Sequence, residues 1–215
     1  MKLQEGFDKL VKYEKKPLKD ILTADQLTQL RGPDKGQSGK LIEKLIGLSN
    51  TTKTLDFEDG ELKTNKCDKD GTPQETIAIT QFTNPDVLLN PCTFIETAVY
   101  KKLANVVYVF ICKDGDVNDW FIHTVKHVDF TAPEHADILQ QMRDDYYHIC
   151  NTADTHIAAD VNNTLHTLNG QYLQVRTKDS KPYHPMYSEK YQREVSDKGR
   201  AFYLQRHFLQ TIQRL

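Results

Sequence analysis

Glu61 and Lys63 stand one residue apart within Leu55-Asp56-Phe57-Glu58-Asp59-Gly60-Glu61-Leu62-Lys63-Thr64. On a β-strand that spacing turns both side chains to one face and sends Leu62 to the other, toward a core. Asp56 precedes the pair across a turn. Two carboxylates and an ammonium in one place suit metal-assisted hydrolysis of a phosphodiester. Carboxylate oxygens hold Mg²⁺, a hard cation that keeps water ligands from which a nucleophile can be drawn. The metal lowers the pKa of bound water and offsets charge developing at phosphorus. A lysine can orient the attacking water or stabilise that charge. A solvated charged hairpin is the alternative reading of the same residues.

Glu43 lies on the helix immediately before this stretch, between Ile42 and Lys44. If that helix packs on the strand, Glu43 faces the metal or orients the lysine; otherwise it is an ordinary exposed glutamate. Other chemistries find little support. Cys67, Cys92, Cys112 and Cys150 stand alone, without metal-ligand spacing. Six of the eight histidines fall between residues 123 and 166, and His123 and His127 share a strand face without zinc spacing. Ser38 and Ser49 lack His and Asp partners, and Gly36 and Gly39 do not make a phosphate-binding P-loop.

The elements that must position these residues follow from periodicity and punctuation. Helices are expected at Glu5–Tyr13, from Pro17 through Leu22, at Ala24–Leu30 and at Gly36–Leu48, where Leu41, Leu45 and Leu48 share a face. The acidic stretch Leu55–Lys66 reads as a strand or a hairpin turning at Asp59-Gly60. Thr76–Phe82 alternates as a strand, and Thr93–Leu103 is helical. Asn105–Cys112 reads as a fully buried strand, paired with Trp120–Phe130. Ala132–Cys150 is a helix in which Asp144 and Asp145 form a solvated face. Tyr172–Arg176 is a strand, residues 177–199 form a long polar loop, and Phe202–Leu215 closes as a helix. The sum is a mixed α/β (α+β) architecture, a central mixed sheet flanked by helices.

At 215 residues the chain has the size of one domain. The longest apolar run, Val106–Cys112, is far short of the ~20 residues that span a bilayer. Charges interrupt any signal-peptide core near the N-terminus, so the expected compartment is the cytoplasm. The net charge of −2 hides segregation: residues 111–160 carry 3 basic and 10 acidic side chains, residues 161–215 carry 9 basic and 4 acidic. Any phosphate-binding surface is therefore local, and the acidic segment 131–160 should lie away from it.

Five separated segments, in order, resemble one family. They are Asp34-Lys35-Gly36 with Leu41-Ile42-Glu43 and Leu45-Ile46-Gly47; Asp56-Phe57 with Gly60-Glu61-Leu62-Lys63-Thr64; Glu96-Thr97 with Lys102-Leu103 and Val106–Phe110; Gly170 through Lys178; and Ala201-Phe202-Tyr203-Leu204. The chain resembles the MutH-type endonucleases, which comprise the mismatch-repair nicking enzyme and type II restriction enzymes cutting at GATC. The resemblance implies a restriction-endonuclease-like PD-(D/E)xK core. It implies a single endonuclease domain over 1–215, with an N-terminal helical lobe at about 1–50 and a catalytic and DNA-reading part at about 51–215.

It further implies that Asp56 and Glu61 bind Mg²⁺, that Lys63 is the catalytic lysine and that Glu43 is an additional active-site glutamate. Lys102 would lie near the scissile phosphate and Tyr203 near the DNA. Arg176 and Lys178 would belong to the loop that enters the major groove, where an arginine reads guanine through two hydrogen bonds. Lys35, Lys181 and Arg206 would hold the DNA backbone, with Lys190, Arg193, Lys198 and Arg200 flanking the duplex. The gap from Asp56 to Glu61 is short for the family, which leaves Asp59 and Asp34 as alternative first carboxylates.

The expected activity is Mg²⁺-dependent, sequence-specific cleavage of double-stranded DNA at a GATC-like site, by a monomer or transient dimer, giving 5′-phosphate and 3′-hydroxyl ends. The alternatives are a mismatch-repair nickase activated by an ATPase partner and an inactive nuclease-fold module that binds DNA.

Overall fold

The computed structural model describes residues 1–32, 36–48, 54–82, 93–159, 168–177, 185–196 and 200–215. The fold is mixed α+β, with a mixed sheet flanked by helices. The chain divides into two compact units: Met1–Ile77 with Lys102–Asp129 and Arg206–Leu215, and Ala78–Lys101 with Phe130–Gln205.

In the first unit, α1 (Leu3–Val11), α2 (Ala24–Leu30) and α3 (Gln37–Leu45) precede strand β1 (Glu61–Cys67). Thr23 starts α2 through a capping box with Gln26. At the end of α3, Gly47 adopts φ +82, the left-handed conformation that suits glycine. The Leu48 amide then donates to the Glu43 carbonyl at 2.9 Å, and the Gly47 amide to Lys44 at 3.1 Å. This Schellman closure stops the helix just after Glu43 and so fixes that residue in its last turn.

After β2 (Ile77–Phe82) and α4 (Ala98–Leu103) come β3 (Asn105–Cys112) and β4 (Phe121–Asp129). Strand β1 runs parallel to β3, with Glu61 opposite Val106 and Lys63 opposite Tyr108. Strand β4 pairs antiparallel on the other side of β3, giving the order β1-β3-β4. The Val, Tyr, Phe and Ile run of β3 is buried from Val106 to Cys112, as a central strand requires. Leu62, Val107, Val109 and Ile111 join one core with Leu3 and Leu10 of α1, Leu30 of α2, and Leu41 and Ile42 of α3. Because Leu62 fills that core, alternation sends Glu61 and Lys63 to the opposite face.

The second unit contains α5 (Ala136–Ala159), β5 (Leu168–Asn169), β6 (Leu173–Thr177), the hairpin β7 (Pro185–Ser188) and β8 (Arg193–Ser196), and β9 (Arg200–Leu204). Its sheet order is β2-β9-β6-β5. Tyr146 of α5 packs its ring against Phe94 and Phe202. The chain ends in the first unit with α6 (Arg206–Arg214). Among the described residues, no helix is long and apolar enough to cross a membrane.

Several local expectations need correction. Residues 54–59 are bends, not the first arm of a hairpin. The Phe57 amide donates to the Gly60 carbonyl at 2.9 Å, and β1 finds its partner in β3 rather than in a neighbouring arm. Thr97 breaks the expected helix Thr93–Leu103: its hydroxyl donates to the Phe94 carbonyl and accepts the Tyr100 amide. Residues 177–199 include the β7–β8 hairpin. Ala201–Leu204 belongs to a strand that pairs with β6, so the closing helix starts only at Arg206. Arg200 is buried, which removes it from any surface that flanks a duplex.

Asp145 is not on a solvated face; it is 3% exposed. Its carboxylate accepts the backbone amides of Gln171 at 2.8 Å, Tyr172 at 2.5 Å and Leu173 at 2.8 Å. It thereby anchors the entry to β6, the strand that carries Arg176. Truncation leaves buried amides unpaired, at ~1–3 kcal/mol for each group. Asp145→Ala should therefore lower the stability of the protein by about 3 kcal/mol, read from the urea midpoint, whereas Asp144→Ala, at an exposed neighbour, should leave it unchanged.

Candidate active site

The face of β1 turned away from the core begins with Glu61. Its carboxylate is almost wholly buried, and one oxygen, Oε1, accepts from Lys63 Nζ at 2.6 Å and from Lys102 Nζ at 2.7 Å. Lys63 arrives two residues along the same strand, and Lys102 at the end of α4, just before β3. The other oxygen, Oε2, accepts the Asp56 amide at 3.3 Å. The Asp56 carboxylate returns to the strand, its Oδ2 accepting the Leu62 amide at 2.9 Å.

Asp56 is held by the bend that joins it to β1. Asp59, at the tip of the bend, offers Oδ1 to the Leu3 amide at 2.8 Å and so caps α1 from outside that helix. Its backbone carbonyl accepts from Asn105 Nδ2 at 2.9 Å, and Asn105 Oδ1 is held by His127 Nε2 at 2.7 Å. Gly60 lies so close to β3 that a side-chain Cβ would stand 2.5 Å from the Asn105 carbonyl oxygen. Of the two alternatives within this bend, Asp56 reaches Glu61 while Asp59 is engaged with α1. Asp34 lies outside the described residues.

Glu43 is half-buried in the last turn of α3 and feels the same charges. Burial raises its pKa first and the Asp56 charge second; Glu61 adds to the rise, while Lys63 and Lys40 oppose it. The Asp56 carboxyl is also held above the ordinary carboxylate range, by burial and then by the Glu61 charge, against the Leu62 amide and the two lysines. Three carboxylates and two ammoniums thus share one electrostatic neighbourhood.

A divalent cation fits this donor set. Asp56 Oδ1 and Glu61 Oε2 are hard oxygens outside any ion pair among the described residues. The raised Asp56 pKa marks a place where more positive charge would be stabilising. Among the described residues, no group of three or more His, Cys, Asp or Glu side chains is arranged around a common metal position. The protein therefore offers two carboxylates, and Glu43 stands beside them rather than as a third ligand. Such a set matches Mg²⁺, which keeps several waters and is bound through one or two carboxylates plus substrate phosphate.

The remaining predicted residues distribute as follows. In the second unit, Gln174 of β6 is opposite Tyr203 of β9, and the Arg176 guanidinium lies over the Tyr203 ring at 5.7 Å from its centre. Arg176 is exposed, and the ring holds its planar group in place. Arg206 is exposed at the start of α6. Lys190 is paired with Asp154 at 2.5 Å. Lys35, Lys178, Lys181 and Lys198 lie outside the described residues, as does Cys92. The residue that sequence reasoning missed is Asn105. As the first residue of an apolar strand it carries no pattern signal, yet it ties the bend that places Asp56 to β3.

The raised pKa values give a stability test. A carboxyl whose folded pKa is raised binds protons more readily in the folded state than in the unfolded chain. The folded state therefore pays for the ionised Asp56 and Glu43 at neutral pH, and gains stability relative to neutral pH as the medium is acidified through their raised pKa values. Asp56→Asn keeps an acceptor for the Leu62 amide while removing the charge. It and Glu43→Gln should melt at higher temperature than the wild type at neutral pH, with the difference shrinking on acidification into the carboxylate range. Equal melting temperatures across the pH series would contradict the crowding of charge described above.

Compared with models of known protein families the chain matches none, and no curated protein matches it in sequence.

Proposed function

We propose that this protein is a Mg²⁺-dependent endonuclease that hydrolyses phosphodiester bonds of double-stranded DNA, built on a PD-(D/E)xK core of the MutH type. The observation that carries the reading is the convergence of Asp56, Glu61, Lys63 and Glu43 at the start of β1. These residues come from a bend, a strand and a separate helix, and the same motif residues support the family resemblance. A solvated charged hairpin would not bury Glu61 or bring a second lysine, Lys102, to the same oxygen.

Asp56 and Glu61 would hold the metal, which supplies Lewis acidity and lowers the pKa of water near the phosphate. Lys63 is fixed by its bond to Glu61, so its ammonium is already oriented where negative charge develops in the transition state. Lys102 adds a second ammonium at the same carboxylate. Glu43 contributes negative charge beside Lys63 and orients it. Arg176, steadied over Tyr203, supplies a guanidinium suited to two hydrogen bonds with a guanine edge. With the resemblance of residues 170–178 to the family's reading loop, this favours a GATC-like target and a restriction role.

The test is cleavage of a plasmid bearing GATC sites, methylated and unmethylated, in Mg²⁺ and in EDTA. Linear fragments mapping to one short sequence are expected, and EDTA should abolish them. Asp56→Asn and Glu61→Gln, which keep the shape of each group, should each slow cleavage by roughly a thousandfold or more, since metal stabilisation of the transition state amounts to several kcal/mol. Slow nicking alone would move the assignment to the mismatch-repair type. Binding without any cleavage would make the protein an inactive DNA-binding module.

A further inference from the structure

Helices α2 and α3 enclose a groove of about 360 Å³ lined by Gln29, Gln37, Lys40, Leu41, Lys44 and Leu48. The Gln37 amide nitrogen donates to the Gln29 amide oxygen at 2.7 Å and ties the two helices together across it. Leu41, in the core, and half-buried Leu48 give it an apolar floor. Lys40 and Lys44 are exposed on its rim, and none of the residues lining it is acidic. Four residues apart, the two lysines lie one above the other on the helix, ~6 Å along its axis. Such a rim offers two successive positive charges to an extended polyanion.

Helical geometry also relates the groove to the carboxylate site. At ~100° per residue, Lys40 and Glu43 occupy adjacent columns of α3, about 60° apart, and Lys44 lies on the groove side of Lys40. Gly39, four residues before Glu43 on the same column, faces β1, where an added Cβ would stand 3.5 Å from Thr64 Oγ1, and the Glu43 carboxyl feels the charges of Asp56, Lys63, Glu61 and Lys40. Lys40 thus stands between the groove and the place where the scissile phosphate would lie.

We propose that the α2–α3 groove seats the sugar–phosphate backbone of the cleaved strand as it leaves the active site, with Lys40 and Lys44 on successive phosphates. The proposal rests on the nuclease reading and adds to it the path of one strand. Phosphate contacts of this kind position the duplex and carry no sequence information.

The experiment measures binding of a short GATC duplex by fluorescence anisotropy in EDTA, across a series of salt concentrations. Each phosphate contact contributes ~0.9 to the slope of log K against log salt. Lys40→Ala/Lys44→Ala should therefore flatten the slope by about 1.8. The control Lys12→Ala/Lys19→Ala, at exposed lysines outside the groove, should leave it unchanged. A scan of single methylphosphonate linkages locates the contacts. Neutral linkages at two adjacent positions on one side of the cleavage site should weaken wild-type binding and leave the Lys40/Lys44 variant no weaker. An unchanged slope in that variant, or sensitivity to the same two linkages retained in it, would overturn the groove while leaving the nuclease reading intact. A wild-type protein that neither binds nor cleaves DNA would remove both.

Discussion

A carboxylate taken out of water must be compensated, and at Glu61 the compensation organises the surrounding structure. An isolated buried charge costs several kcal/mol unless it is paired and hydrogen-bonded. Glu61 meets that requirement with Lys63, Lys102 and the Asp56 amide. The three donors come from the strand itself, from the end of α4 and from the preceding bend. Their convergence requires β1 to lie beside β3, because Lys102 precedes the first residue of β3 by three positions. Parallel register and burial of one side chain are thus aspects of the same constraint.

The second constraint is the position of Asp56, five residues upstream of Glu61 in a segment with no regular structure. The bend is fixed by the Phe57 ring, which is buried in the core against Gly6 of α1, and by borrowed hydrogen bonds. Asp59 receives the first helical amide of α1, while Asn105 from β3 and behind it His127 from β4 hold the tip. Close approach of Gly60 to β3 completes the arrangement. The place of Asp56 beside Glu61 is therefore determined by α1 and the central strands, and the N-terminal helices share a compact unit with β1.

The legible part of the sequence was the part governed by local rules. The alternation of Glu61, Leu62 and Lys63 against a buried strand sorted the side chains to their faces, the apolar face of Leu41, Leu45 and Leu48 located α3, and the apolar run Val106–Cys112 located β3. Failures occurred where a distant partner decided the outcome. Asp144 and Asp145 look alike on an amphipathic helix, and only the return of residues 171–173 buries one of them. The bend before Glu61 looked like a hairpin because Asp59-Gly60 is a turn signal, whereas the pairing was claimed by β3. Leu204 and Phe208 are four residues apart, so they continued a helical pattern backward into a strand that pairs with β6. Lys102 came from the motif resemblance alone, since nothing in its neighbours points to a carboxylate forty-one residues earlier.

The electrostatics of the site run against stability in a way that a purely structural ion-pair network would not. Glu61 is fully compensated, but Asp56 and Glu43 remain crowded, and both are pushed toward the neutral form by burial and by like charge. The two lysines of the cluster relieve them only in part, because both ammoniums bond to the same oxygen of Glu61. A fold selected only for stability would replace one of these acids with an amide or a hydrophobe. Retaining three carboxylates around two lysines leaves a negative site that additional positive charge stabilises. A divalent ion held by Asp56 and Glu61, as proposed, would relieve the crowding directly. Under the proposed nuclease reading, an approaching phosphate would meet the metal and the lysines rather than bare carboxylates, and cation binding and substrate binding would be coupled through the same repulsion.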